Sequence, residues 1–562
     1  VTEPSIPIAE NPPASSAARI GWAILILATL YVCYFSHLGA IGFVGPDEPR
    51  YAWIARDMAE TGDWVTPRLY GKPWFEKPPL FYWGAAASFK LFGVSEAAAR
   101  LPSAISALLA TLALSWLALR LYGAETARWL LLLLPTTVGM IGFSHAASTD
   151  MPFSAMLTIA MVCAAVVLGL TRNENTPILP HTPWLALILF GFFLGAAVLA
   201  KGPAAIILSG GAVFFWALFT KRWRDAFRLL HPVAIASFCL TALPWYILCA
   251  RRNPDFFRIF IIEHNFKRFL TPEFQHIQPF WYYVPVLILA LLPWTAVFVW
   301  TGISRALDFY RTRSFEPCAL LFWTFAGFCL IFFTVSKSKL PGYILPIIPA
   351  LGMPIGESLS SIGASRRRSL CASLCGSTLF LLLSGFLLRP ALFRLPRMDS
   401  FAQQGMAVLL LYFSVACSLL ACAFFRHFFL GAKTCGALAI LWICVPLYFT
   451  PGGLISFFDH DNSARYLSGR IISRGVLNDV NTYRVNRSWT YGLNFYLHRE
   501  LPEWNETIMG DSYVVMSIGE CQKLRERGFQ LQLFEFGHSG RTTQNLSVYR
   551  VTFRAVSERA SP

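Results

Sequence analysis

The chain has 562 residues, 55% of them hydrophobic and 14% charged, which is more apolar surface than a water-soluble core encloses. Its formal charge of +16 divides into 34 basic against 20 acidic residues before position 451 and 13 against 11 after it. The excess lies in the apolar part, where basic residues mark cytoplasmic loops and lipid headgroups, so nucleic acid is excluded as the partner the charge serves.

Residues 1–18, rich in Pro, Ala and Ser, are expected to be a disordered cytoplasmic N-terminus. Apolar runs then approach or reach the roughly 20 residues that cross about 30 Å of hydrocarbon. The first, "WAILILATLYVCYF", has no A-x-A cleavage site after it and reads as an uncleaved helix. Thirteen membrane helices are expected, starting near residues 20, 99, 127, 150, 183, 203, 229, 280, 318, 341, 370, 404 and 434. The stretch 79–92 is short, begins at Pro78-Pro79 and carries Lys90, so it reads as a helix lying on the membrane surface. Counting it as a span would invert every later loop and move the basic clusters, such as "KRWRDAFR" at 221–228 and Arg366-Arg367-Arg368, off the cytoplasmic side.

An odd number of spans places residues 451–562 outside. There, alternating segments ("SYVVMSI", "LQLFEF", "LSVYRVTF") accompany a helical one ("CQKLRERG"). The expected fold is thus a polytopic α-helical membrane protein, with a transmembrane part at 19–450 and a small C-terminal extracytoplasmic α/β domain at 451–562. Of the thirteen cysteines only Cys521 falls in that last region, and none has metal-ligand spacing; they read as small buried hydrophobes.

Two long connections on the outer side, 39–98 and 250–279, break the charge rule. The first holds Arg50, Arg56, Arg68, Lys72, Lys77 and Lys90, the second Arg251, Arg252, Arg258, Lys267 and Arg268, and Lys337 and Lys339 lie on a third. Cations gathered at one face suit an anionic ligand such as a lipid phosphate. In "GPDEPRYAWIARDM", Asp47 and Glu48 precede a helix. Asp47 either caps it or, beside Arg50, binds a metal, orients a sugar or accepts a proton.

Glu76 and Lys77 stand in "YGKPWFEKPPLFYW", as a membrane-surface anchor or as part of a site. Asp150 begins a helix after Ser148 and Thr149, where a cap is the plain alternative. His264 either pairs with a first-loop carboxylate around a metal or simply makes hydrogen bonds. In "SKSKLPGYILPIIPA", Lys337, Lys339 and Tyr343 either grip a phosphodiester or are snorkelling residues of a proline-kinked helix.

The Asp-Glu pair after the first helix, "EKPPLFYW", "RLPSAISALL", "STDMPFSAML", "AKGP" and "KLPGYILPIIPA" occur in that order. Together they resemble the bacterial GT-C-fold glycosyltransferases that move 4-amino-4-deoxy-L-arabinose to lipid A, a family related to the protein O-mannosyltransferases. The resemblance covers about residues 40–350. It implies transfer from undecaprenyl phosphate to a lipid A phosphate at the periplasmic face of a Gram-negative inner membrane, which lowers surface negative charge and gives resistance to polymyxin and other cationic peptides. By motif, it makes Asp47 the essential carboxylate and Asp150 the second acidic residue. Lys77, Arg268 and Tyr343, with Glu48, Arg50, Lys337 and Lys339 nearby, would bind substrate. Glu76 and His264 would hold a divalent metal, zinc or magnesium. A monomer acting on membrane lipids is expected.

A donor leaving as a phosphate needs cations more than protonation, and single displacement with inversion follows the family's pattern. Two other readings compete. One is a related transferase using another polyprenyl-phosphate sugar, such as a protein mannosyltransferase. The other is a lipid-sugar transporter, which would place binding groups near midmembrane and usually show repeat symmetry.

Overall fold

The computed structural model describes residues 16–170, 184–267, 278–312, 315–362, 364–389, 392, 400–426, 436–438, 442, 459, 463–505, 512–536 and 546–552. Helix α1 (Ser16–Tyr34) leads through a turn-rich loop into α2 (Asp47–Thr61), a two-stranded ribbon of β1 (Arg68–Leu69) and β2 (Lys72–Pro73), and α3 (Leu80–Phe92). With 13 residues, α3 is about 20 Å long at 1.5 Å per residue, short of the hydrocarbon thickness. It packs Phe81, Tyr82, Ala85 and Phe89 inward against α2 and the next helix.

The bundle follows as α4 (Glu96–Tyr122), α5 (Ala124–Leu133), α6 (Val138–Ser144), α7 (Asp150–Val167), α8 (Trp184–Lys201), α9 (Ala204–Thr220), the short α10 (Trp223–Phe227) and α11 (Pro232–Arg252). A π-helical turn spans Arg258–Lys267, and α12 (Tyr283–Ala290), α13 (Thr295–Thr312), α14 (Pro317–Val335), α15 (Ile347–Ser360), α16 (Ala364–Leu387) and α17 (Ser400–Arg426) complete the series. Among the described residues seven helices are long and apolar enough to cross a bilayer, or nine if two bent pairs each count as one span. The chain is a multi-pass membrane protein.

Helical segments begin near each of the expected starts up to residue 404; the run expected from 434 lies almost wholly outside the described residues. Two runs are not straight spans. α5 and α6 meet at 63° across Pro135, and α12 and α13 at 113° across Pro293. Proline removes the N–H that would continue the helix ladder and pushes on the preceding turn. The run expected from 341 opens as a 3₁₀ turn over Pro341–Ile344 before α15 begins.

Lipid tails are as apolar as leucine, so the helices must associate through close packing rather than water exclusion. Glycines supply it in two places. On α8, Gly191 and Gly195 face α11 so closely that a Cβ at Gly195 would lie 2.8 Å from the Thr241 side chain. On α15, Gly352 and Gly356 seat against Leu130 and Leu134 of α5 in the same G-x-x-x-G spacing. α7 runs through the centre of the bundle, its alanines 155, 160, 164 and 165 fully enclosed.

The C-terminal part holds α18 (Arg465–Ser473), β3 (Val480–Thr482), α19 (Arg487–Leu497), β4 (Ser512–Ser517), α20 (Ile518–Glu526), β5 (Gln530–Phe536) and β6 (Leu546–Thr552). The strands form one sheet in the order β3-β4-β6-β5, parallel at the first pair and antiparallel at the others. Period-two alternation separates its faces. Val515 and Val548 pack with Leu467, Ile471 and Leu493 of α18 and α19, while Val514, Met516 and Val551 pack with Cys521 and Leu524 of α20. The described cysteines are free thiols, most of them buried.

Candidate functional site

The loop between α1 and α2 is fixed from two sides. From within the bundle, Arg100 of α4, 4% exposed, commits its whole guanidinium to it. Its Nη1 donates to Leu38 O at 2.8 Å and Ile41 O at 2.6 Å, its Nη2 to Gly42 O at 3.0 Å and Glu48 Oε2 at 2.8 Å, and its Nε to Glu48 Oε1 at 3.0 Å. Glu48 also accepts the amides of Val44 at 2.8 Å and Ala147 at 2.7 Å. A buried ion pair is tolerable only when its remaining donors and acceptors are satisfied in this way.

From the other side, the C-terminal part holds the same loop. Asp459 accepts the Gly42 amide at 2.6 Å, and the Tyr496 hydroxyl accepts the Phe43 amide at 2.8 Å while donating to Glu96 at 2.8 Å. Arg465 donates to Ala40 O at 2.8 Å and Gly39 O at 3.1 Å, and pairs with Asp459.

Beyond this anchored loop α2 begins at Asp47, whose carboxylate is half exposed. The N-cap position before it is Pro46, whose side chain makes no capping bond. Asp47 lies 2.5 Å from Arg50 Nη2, and Arg50 Nη1 lies 2.9 Å from Glu76 Oε2, so one guanidinium joins two carboxylates. Arg50 is 4% exposed and boxed by aromatic faces, with Tyr51 and Trp74 at 5.3 Å and Tyr491 of α19 at 5.7 Å. Burial opposes its charge, but Glu76, Tyr51 and Asp47 outweigh that cost and raise its pKa above the usual guanidinium value. It stays a cation under all working conditions.

A second cluster joins three segments distant in sequence. Asp150, the first residue of α7, pairs with Lys201, the last residue of α8. The Lys201 ammonium stands over the rings of Tyr343 at 4.5 Å and Phe153 at 5.5 Å. Gly342 covers the Asp150 carboxylate so closely that a Cβ there would be 2.6 Å from Asp150 Cγ. The two clusters adjoin, because Glu48, next to Asp47, holds the amide of Ala147, three residues before Asp150.

The remaining expected residues divide. Lys77, half-buried, follows Glu76 directly. Lys337 is exposed, whereas Lys339 is buried with Nζ donating to Ser336 O at 2.7 Å. Burial, and then the nearby charge of Lys337, lower the Lys339 pKa. Glu48 and Arg50, expected to touch substrate, stand in buried ion pairs with Arg100 and with Asp47 and Glu76 respectively. Arg268 lies outside the described residues, as does the side chain of His264.

Among the described residues no group of three or more His, Cys, Asp or Glu could hold a metal, and Glu76 already faces a cation. Sequence reasoning gave no role to Arg100, Lys201 or Tyr491. The first two had a readable signal, each being a charge at the edge of a long apolar run. Tyr491, in the C-terminal part, had none.

A hydrophobic groove of about 680 Å³ starts at Leu80 and Trp83, three residues past Lys77, and continues between α8 and α11 along Leu199, Phe192 and Leu240.

Comparison with known proteins places this arrangement in a class. Along 97% of its length the chain superposes on the whole of ArnT from Cupriavidus metallidurans bound to undecaprenyl phosphate, with a TM-score of 0.76 at 23% identity, and on the apo form with a TM-score of 0.73. It therefore has the fold of the GT-C membrane glycosyltransferases. Residues 20–260 match the dolichyl-phosphate-mannose-protein mannosyltransferase family. The chain is similar to the undecaprenyl phosphate-α-4-amino-4-deoxy-L-arabinose arabinosyl transferase of Edwardsiella ictaluri, 33% identical over 342 residues, and to that of Aeromonas hydrophila, 34% identical over 308. These matches span 59% and 55% of this chain and 58% and 54% of the relatives, so the chain aligns with a little over half the length of the curated proteins it resembles.

Proposed function

We propose that the chain is a glycosyltransferase that moves 4-amino-4-deoxy-L-arabinose from undecaprenyl phosphate to a phosphate of lipid A, at the periplasmic face of an inner membrane it crosses thirteen times. The observation that carries this reading is the half-exposed Asp47 carboxylate, held by Arg50 beside Glu76 and adjoining the Asp150–Lys201–Tyr343 cluster, with Leu80 and Leu199 of the apolar groove close in sequence to Glu76 and Lys201. The likeness to named arabinosyl transferases supplies the sugar and carrier.

In this account the prenyl chain lies in the groove that opens at Leu80, which puts its phosphate against Lys77, with Arg268 and Tyr343 as further holders. The bond from the anomeric carbon to the carrier phosphate oxygen breaks, and the electron pair leaves with the phosphate. A lipid A phosphate oxygen forms the new bond from the opposite face, inverting the centre. That acceptor is already an anion, so no base is required. Asp47 instead faces positive charge developing on the sugar, where a preorganised carboxylate lowers the barrier most.

Arg50 holds the Asp47 carboxylate in place. Glu76 and His264 would be the residues to hold a zinc or magnesium ion, which would supply positive charge toward the carrier phosphate. The positive clusters at 221–228 and 366–368 support a cytoplasmic location for the opposite end.

The test is mass spectrometry of lipid A from a polymyxin-sensitive strain that makes the carrier-linked sugar but lacks its own transferase. An aminoarabinose adduct on expression of the chain supports the reading. A hexose on membrane proteins, with lipid A unmodified, would favour the mannosyltransferase reading that the family match at 20–260 brings.

A further inference from the structure

Another groove lies away from the site. It has a volume of about 860 Å³ and lies between α9, α14 and the end of α13, bordered by Phe215, Phe219, Phe309, Phe328 and Ile331. Lys201 at the start of the α8–α9 turn and Lys337 after α14 mark the site end of these helices. The groove extends from the opposite end, along α14 from Pro317 to Ile331, about 21 Å of axis at 1.5 Å per residue. One leaflet of a bilayer contributes about 15 Å of hydrocarbon, so the groove can take an extended acyl chain from headgroup level inward.

Charge separates this groove from the others. The grooves of about 680 Å³ and 370 Å³ have no charged lining residue, whereas this one ends at Arg222. Arg222 belongs to a segment, 221–228, with Lys221, Arg224 and Arg228 and a single acid, Asp225, which pairs with Arg222 and Arg228. The segment carries three net positive charges, and Arg222 is its charged residue on the groove wall. Phe219 and Ile331 along it are each 61% exposed. An apolar channel capped by surplus cations is complementary to a molecule with an acyl tail and a negative head.

We infer that this groove binds a phospholipid with an anionic headgroup, at the end of the bundle remote from the sugar-transfer site and independently of the reaction proposed there. The acyl chain lies along α14 and the headgroup phosphate meets Lys221, Arg222 and Arg224.

Gly327 allows a direct test, because it lines the groove and a Cβ added there meets nothing within 4 Å. Gly327→Leu narrows the channel from a position where its Cβ meets no neighbour. The full chain and this variant are purified in detergent, delipidated, and titrated with phosphatidylglycerol or phosphatidylethanolamine, and bound lipid is counted by native mass spectrometry. The parent is expected to retain phosphatidylglycerol at least threefold over phosphatidylethanolamine, and Gly327→Leu to lose that excess. Lys221→Gln with Arg224→Gln, which leaves the channel open, is expected to bind both lipids equally. Equal retention of the two lipids by the parent, or an undiminished preference in Gly327→Leu, overturns the inference. The unfolding temperature of each variant without lipid establishes that it is folded.

Discussion

Replacing Gly342 by alanine isolates the geometry of the second cluster. The added Cβ would stand 2.6 Å from Asp150 Cγ and 2.7 Å from Oδ2, where ordinary contact begins at 3.4 Å, so the carboxylate must retreat by about 1 Å. It has little room, because its partner Lys201 is held over the rings of Tyr343 and Phe153. Overpacking of this kind costs about 1–3 kcal/mol of stability, too little to prevent insertion. A misplacement of about 1 Å at a reacting centre lowers rate about 100-fold, equivalent to about 2.7 kcal/mol of barrier. The assay is transfer by purified protein from synthetic prenyl-phosphate sugar to lipid A, with kcat and KM determined separately. Gly376→Ala is the control, since a Cβ there meets nothing within 4 Å. The prediction is a fall in kcat near 100-fold for Gly342→Ala and none for the control. Activity within threefold of the parent would show that Asp150 is not required in its present position.

Other substitutions address the first cluster and the C-terminal sheet. Glu48→Gln leaves the buried Arg100 without its carboxylate and should cost about 3–5 kcal/mol, seen as a lower apparent unfolding temperature; an unchanged temperature would refute the anchoring role. Arg50→Lys keeps the charge but replaces a planar fork by a point donor that cannot join Asp47 and Glu76. It should reduce kcat about 10- to 100-fold with the donor KM little changed, and a purely raised KM would instead mark Arg50 as a substrate ligand. In the sheet, Arg470 and then Arg474 hold the Glu535 pKa below its ordinary value despite burial. A depressed carboxylate contributes stability above its unfolded pKa, about 4.3, and loses it as pH falls through the folded value. Acid unfolding of the C-terminal part should therefore set in below about pH 4 and become less steep in Glu535→Gln, as followed by tryptophan fluorescence.

The helical series could be read directly because apolar length is a local property. The breaks at Pro135 and Pro293 were less legible, since a proline within an apolar run either kinks a span or ends it, according to the neighbouring helices. Asp47 and Asp150 stood out as carboxylates at the edges of apolar segments. Which groups pair was not legible, because Lys201 lies 51 residues from Asp150 and Arg100 lies 52 residues from Glu48. Nor could sequence distinguish a phosphate-gripping arginine from one that organises carboxylates: Arg50 has the composition of the first and the burial of the second. The contacts of Tyr491 with Arg50 and of Tyr496 with Phe43 span more than 400 residues and depend wholly on the tertiary fold.

The most direct test of the central claim is the reaction itself: purified chain, synthetic undecaprenyl-phosphate aminoarabinose and lipid A, with product identified by mass spectrometry for the parent and for Asp47→Ala. The account predicts an aminoarabinose-modified lipid A phosphate from the parent and none from the folded variant. Equal product from both would remove Asp47 from the mechanism, and absence of product from the folded parent would contradict the proposed sugar transfer.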